Sequence, residues 1–125
     1  MESQLFNELP VVKQLSIISQ ALDLTTNTLH FSNHLKQKLD LLEVSFSSKF
    51  MQNMLANNLY SIIEITKVDS RRGVDTRFLL KSTETFSLTR GGTRVPVNLY
   101  LVISLVSHVI VTAYVDRSES YDRFN

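Results

Sequence analysis

The 125 residues contain no cysteine. That excludes disulfide staples, thiolate zinc ligands and thiol nucleophiles, and leaves the redox environment open. Glycine and proline are scarce, three and two residues respectively, so the position of each carries information. Gly91-Gly92 supplies the two positive φ angles that a tight hairpin needs, and Gly73 closes a polar loop, Asp69 to Gly73. Pro10 suits the first turn of a helix. Pro96, near the start of a strand, places its position at an edge or outside the ladder. No phosphate-loop motif surrounds the glycine pair, and no nucleophile elbow accompanies the serines. Met1-Glu2-Ser3-Gln4 lacks the basic and then apolar regions of a secretory signal, which sets the expectation of a cytoplasmic protein. The longest apolar run, Val95 to Val115, is broken by Pro96, Asn98, Ser104, Ser107, His108 and Thr112 and is rich in Val and Ile. Two strands and a turn explain it better than a spanning helix, so no membrane is expected.

What the chain does have is a core-forming composition, 43% hydrophobic and 20% charged, at a length that suits one domain and is too short for two. The net charge of +1 hides a local imbalance. Residues 1–65 carry four basic and six acidic side chains, whereas residues 66–94 carry seven basic and three acidic. Five of those seven are arginines, whose forked guanidinium matches phosphate and carboxylate groups.

Periodicity divides the chain. Val11, Val12, Leu15, Ile18 and Leu22 recur at spacings of three and four, predicting a helix over 10–23 with one apolar stripe. A second helix is expected over 27–42, burying Leu29, Leu35, Leu39 and Leu42. A third is expected over 43–58, carrying Val44, Phe46, Phe50, Met51, Met54 and Leu55 and stopping at Asn57-Asn58; the second and third could be one helix. Residues 1–9 read as a short helical turn. From Leu59 the period drops to two, and strands are expected over 60–68, 76–88, 94–105 and 108–115. The turn between the last two strands, Leu105 to His108, contains poor turn formers, and Val106 has no local explanation. The expected architecture is α+β: two or three N-terminal helices packed on one face of a four-stranded antiparallel sheet. Residues 1–58 form the helical layer, 59–116 the β-meander and 117–125 a tail, all within one domain.

The stretch from Arg71 to Tyr114 organises the rest. Alternation places Arg77, Lys81, Thr83, Arg94, Asn98, Tyr100, His108, Thr112 and Tyr114 on the sheet face away from the helices, with Arg71, Arg72 and Arg90 at the adjoining turns. A concave cationic face carrying Tyr, Thr and His suits phosphodiester chemistry or RNA binding. Arg and Lys hold phosphate and stabilise added charge, and a His, Tyr or Lys transfers protons. The same residue types are also ordinary strand formers on a solvated face, and a lone turn histidine also serves without chemistry. His30 and His34 have i, i+4 spacing, but no third ligand follows, so neither a metal nor another cofactor is expected.

Two segments carry a family resemblance. Thr76-Arg77-Phe78-Leu79-Leu80-Lys81-Ser82-Thr83-Glu84-Thr85-Phe86 looks like a strand with a basic residue followed by a Ser/Thr-Glu-x-Phe segment. Val109-Ile110-Val111-Thr112-Ala113-Tyr114 is similar to a terminal strand ending in Thr-Ala-Tyr. Together, over about residues 59–116, they resemble the superfamily of small ribonuclease toxins that includes the barnase, EndoU, colicin-type and RelE-like nucleases. The resemblance implies metal-independent RNA cleavage by attack of the substrate 2′-hydroxyl, with neutralisation by an antitoxin or immunity protein. It assigns Arg77 and Lys81 to phosphate, Thr83 and Thr112 to orientation, His108 or Tyr114 to proton transfer, and Arg90 and Arg94 to flanking RNA. The chain departs from the pattern in lacking a second histidine on the face. The alternatives are a non-enzymatic antitoxin or immunity protein, and an RNA-binding module that stacks bases on Tyr100 or Tyr114.

Overall fold

The computed structural model describes residues 2–25, 30–31, 44–71 and 73–117. It is an α+β arrangement in which the longest strands make an antiparallel meander. The elements are β1 (Glu2–Leu5), a 3₁₀ turn (Phe6–Glu8), α1 (Val11–Asp23), β2 (His30–Phe31), α2 (Val44–Ala56), β3 (Tyr60–Ser70), β4 (Gly73–Ser82), β5 (Phe86–Arg90), β6 (Thr93–Ser104) and β7 (Val109–Arg117). The described strands form one sheet in the order β1-β3-β4-β6-β7-β2, with β5 also paired to β6. All pairings are antiparallel except β2 with β7.

The expected four strands are therefore part of a wider sheet. The N-terminal residues read as a helical turn instead add an edge strand, Glu2 to Leu5, opposite Lys67 to Glu64. His30 and Phe31, expected within a helix, pair with Val109 and Ile110. The rest of the expected helix 27–42, with Leu29, Leu35, Leu39 and Leu42, lies outside the described residues.

β6 is the spine. Val95, Val97, Leu99, Leu101 and Ile103 alternate along it and are all buried. Phe78 and Leu80 of β4 lie directly opposite Ile103 and Leu101; Ala113 of β7 lies opposite Leu101. α2 covers this face with Met51, Met54 and Leu55 buried, and its Phe50 ring meets Phe86 at 4.8 Å. The helix ends as Asn57-Asn58 suggested. Asn58 takes a left-handed φ of 55°, its N–H donates to Leu55 O at 3.4 Å, and Leu59 N–H donates to Met54 O at 2.8 Å. These are the two bonds of a Schellman motif, with Asn in the place glycine usually holds.

α1 packs the other way round from its stripe. Ala21 and Leu24 are the buried residues, with Ile17 against the same core. Val11, Val12, Leu15, Ile18 and Leu22 face solvent, 68%, 80%, 62%, 40% and 39% exposed. The helix is apolar over two adjacent stripes, and the sheet takes the less conspicuous one. Gln14 anchors the start by donating to Phe6 O (3.2 Å) and Leu9 O (2.9 Å). Thr25 ties the end to β3 through the Tyr60 hydroxyl at 3.2 Å.

Two breaks in the sheet are set by distant polar groups. The strand expected over 76–88 is interrupted after Ser82. Ser82 Oγ donates to Glu84 O (2.7 Å) and accepts from Leu99 N–H (3.0 Å), while buried Asn98 donates to Ser82 O (2.9 Å). Thr83 N–H meanwhile leaves the ladder for Leu59 O. The turn after β6 is held by Asp75, only 4% exposed. Ser104 Oγ donates to both of its oxygens at 2.9 Å, Val106 N–H donates to Oδ1 at 3.3 Å, and Arg77 Nε donates to Oδ2 at 3.0 Å. Ser107 N–H donates to Ser104 Oγ, and His108 adopts a φ of 55° to re-enter the sheet. Val106 therefore needs no turn propensity of its own: the turn uses its amide, and its side chain is exposed.

Removing the Asp75 carboxylate strands a buried hydroxyl, an amide and a guanidinium together. Asp75→Ala is expected to lower unfolding free energy by about 2–3 kcal/mol, read by urea denaturation. Val106→Ala, which keeps the amide, is expected to change it by less than about 0.5 kcal/mol.

Candidate functional site

The sheet face turned away from α2 is a ladder of side chains, half-buried or exposed apart from buried Ser104, whose neighbours follow from the register. One row runs Ser61, Lys81, Tyr100, Tyr114 across β3, β4, β6 and β7. The next runs Leu5, Glu64, Leu79, Val102, Thr112, and a third runs Ser3, Thr66, Arg77, Ser104. Directly opposite residues sit ~5 Å apart, and successive rows on one face are ~7 Å apart. The register holds despite a bulge at Ile63 in β3, which keeps Ser61 and Glu64 on the same face.

The first row contains the most ordered contact. The Tyr100 and Tyr114 rings are parallel, with centroids 5.0 Å apart and planes 2° apart. Tyr100 is half-buried and Tyr114 is 39% exposed. Tyr114 lies on β7, whose parallel partner β2 reaches only Val109 and Ile110. Among the described residues, the strand edge beside Tyr114 is therefore open, and Tyr100 covers one side of its ring. The Tyr114 hydroxyl is pushed above its ordinary pKa, first by burial and then by the phenol of Tyr100 and the carboxylates of Asp116 and Glu64. A phenol so placed stays protonated at neutral pH.

The expected site residues divide into groups. Arg77, Lys81, Tyr100, Thr112 and Tyr114 do share this face, on three adjacent strands. Arg77 is engaged by Asp75 at 3.0 Å, so its charge is largely committed within the sheet. Asn98 is sequestered beneath the β4–β5 break. Thr83 is exposed within that break, outside either strand. His108 is exposed in the β6–β7 turn, beyond the row that holds Arg77 and Ser104. Arg94 is exposed opposite Thr89, and Arg90 lies opposite Thr93 across the Gly91-Gly92 hairpin, whose φ angles of 59° and 80° suit a type I′ turn. Arg71 is exposed at the β3–β4 turn, and Arg72 lies outside the described residues.

The face is thus mixed rather than uniformly cationic. Lys81 and Arg77 are matched by Glu64, Asp75 and Asp116. Sequence reasoning missed these carboxylates as members of the face: the bulge at Ile63 brings Glu64 there, and the register of β7 places Asp116 there. It also missed the Tyr100–Tyr114 pair as a pair, since their opposition depends on the β6–β7 register. Among the described residues, no group of three or more His, Asp or Glu side chains is arranged to hold a metal ion, and no helix is long and apolar enough to cross a membrane.

Compared with known proteins, the chain matches no family model, no curated protein and no solved structure.

A raised Tyr114 pKa means that the unfolded chain releases this proton first. Its contribution to stability is complete below about pH 10 and is lost as pH rises through the higher folded value. Stability measured by urea between pH 9 and pH 11 is expected to fall less steeply in Tyr114→Phe than in the parent chain.

Proposed function

We propose that this protein binds single-stranded RNA across the sheet face turned away from α2, with Tyr114 as the stacking platform and Lys81 as a phosphate contact. The observation that carries this reading is the Tyr100–Tyr114 pair, parallel within 2° and in register with Lys81. Tyr100 braces one side of the Tyr114 ring, and among the described residues the other side is left for a base, which would continue a stack that already exists. Little ordering is then required of the platform, and stacking of this kind contributes about 1–3 kcal/mol per base. Lys81, one strand beyond Tyr100, supplies charge across the strands, and Arg94 supplies it along β6 toward the hairpin. Asp116, on the same strand as Tyr114, disfavours phosphate at that end, which orients the ligand with its base over Tyr114 and its backbone toward Lys81.

A second reading keeps the same face and adds catalysis. Arg77, Lys81, Thr112 and Tyr114 fall on one surface of three adjacent strands, which supports the metal-independent endoribonuclease toxin that the sequence resembles. In that reading Arg77 and Lys81 stabilise the transition-state phosphate, Thr112 orients it, and a cognate antitoxin or immunity protein covers the face. The commitment of Arg77 to Asp75, the position of His108 out in the turn and the protonated state of Tyr114 all favour binding over cleavage.

Fluorescence anisotropy with labelled oligouridine separates the readings. Binding is expected at low salt, with Tyr114→Ala weakening it ~10-fold. Lys81→Ala is expected to weaken it and to flatten the salt dependence by about one unit of slope. No binding at 50 mM salt would refute the proposal. Discrete RNA fragments ending in cyclic phosphate in the presence of EDTA, lost in Lys81→Ala, would establish the second reading instead.

A further inference from the structure

Independently of the sheet face, we infer that α1 is a homodimerisation surface that pairs antiparallel with α1 of a second copy of this chain. The spacing of Val11, Leu15, Ile18 and Leu22 is four, three, four, the interval at which one face of a helix meets another helix. All four are exposed, with Val12 beside them at 80%. A monomer that left this stripe to water would gain from charges along it. Instead, no charged residue occurs between Lys13 and Asp23, and depletion of charge marks the centre of an interface.

The shape of the stripe selects a second copy in one orientation. Its N-terminal end protrudes: Val11 and Val12 are the most exposed apolar residues described, at 68% and 80%. Its C-terminal end is recessed: Ile18 and Leu22 are 40% and 39% exposed. They line a cavity of about 350 Å³ that continues to Phe6, Tyr60 and Ile62 of the same chain. A two-fold axis near residues 16–17 brings the protruding end of each helix to the hollow end of the other. Val11 then meets the second copy's Leu22, and Leu15 meets its Ile18. A parallel pair would set protrusion against protrusion and hollow against hollow.

Five exposed apolar residues per copy, 39–80% exposed, make a contact below the ~1,200 Å² of standard specific interfaces, the size class of weak, transient association.

Sedimentation velocity from about 1 to about 500 μM is expected to show a monomer–dimer equilibrium. Leu15→Glu places a charge at a site 62% exposed in the monomer, so the fold is unaffected by circular dichroism while the dimer is lost. Because the chain lacks cysteine, Val11→Cys and Leu22→Cys each introduce a unique thiol. Mixing the two variants under mild oxidation is expected to give the mixed disulfide in preference to either homodimer. A monomer at every concentration would overturn the inference, as covering of the stripe by another segment of the chain or by a different protein would produce. So would a dimer indifferent to Leu15→Glu, or rapid self-cross-linking of Val11→Cys, which signals parallel helices.

Discussion

The structure depends on the pairing of β6 along both of its edges. β4 and then β5 take one edge and β7 takes the other. A strand paired on both sides has its amides satisfied, so its side chains are free to sort strictly by face. Val97, Leu99, Leu101 and Ile103 are each 0% exposed. Tyr100 and Val102, between them, are held on the opposite surface. The candidate site is therefore a by-product of the core. Any slip of one residue in β6 would exchange Tyr100 for Leu101 and invert both surfaces together, so burial of the core fixes the position of the aromatic pair.

The polar groups inside the sheet explain how such a strand starts and stops. Asp75 on β4 reaches across to the end of β6, and Ser82 at the end of β4 is gripped by Asn98 and the Leu99 amide of β6. Both networks join the same two strands, at opposite ends of their shared ladder, and they fix its length. Buried polar groups of this kind contribute most when every donor and acceptor is matched. Arg77 completes the Asp75 cluster, which gives it a structural role whatever ligand the face accepts.

Much of this was legible in the sequence, and the gaps have particular causes. The change to strands at Tyr60, the Gly91-Gly92 turn and the Asn57-Asn58 stop are local signals, and each appears where the residues indicated, although bulges at Ile63 and Val111 interrupt the expected alternation. The break after Ser82 was illegible because its cause, Asn98, lies sixteen residues away. The β6–β7 turn was opaque because Asp75, thirty-one residues before Val106, supplies its anchor. For α1, hydrophobic periodicity identified the helix correctly but not its orientation: Ile17, Ala21 and Leu24 make a second, smaller stripe, and only the space above β3 and β4 decides between the two. The shared face of Arg77, Lys81, Thr112 and Tyr114 followed from alternation. Its mixed charge did not, since Glu64 and Asp116 arrive from strands at either side.

The central claim is that the surface built by the outward residues of β4, β6 and β7 is where single-stranded RNA docks. The most direct measurement is a ¹H–¹⁵N NMR titration of the full chain with unlabelled oligouridine, following backbone amides. The account predicts saturable shifts concentrated at Lys81, Tyr100 and Tyr114 and their row neighbours, with the amides of α1 unmoved. Shifts confined to α1 or to the β3–β4 turn, with the tyrosine row unchanged, would contradict it.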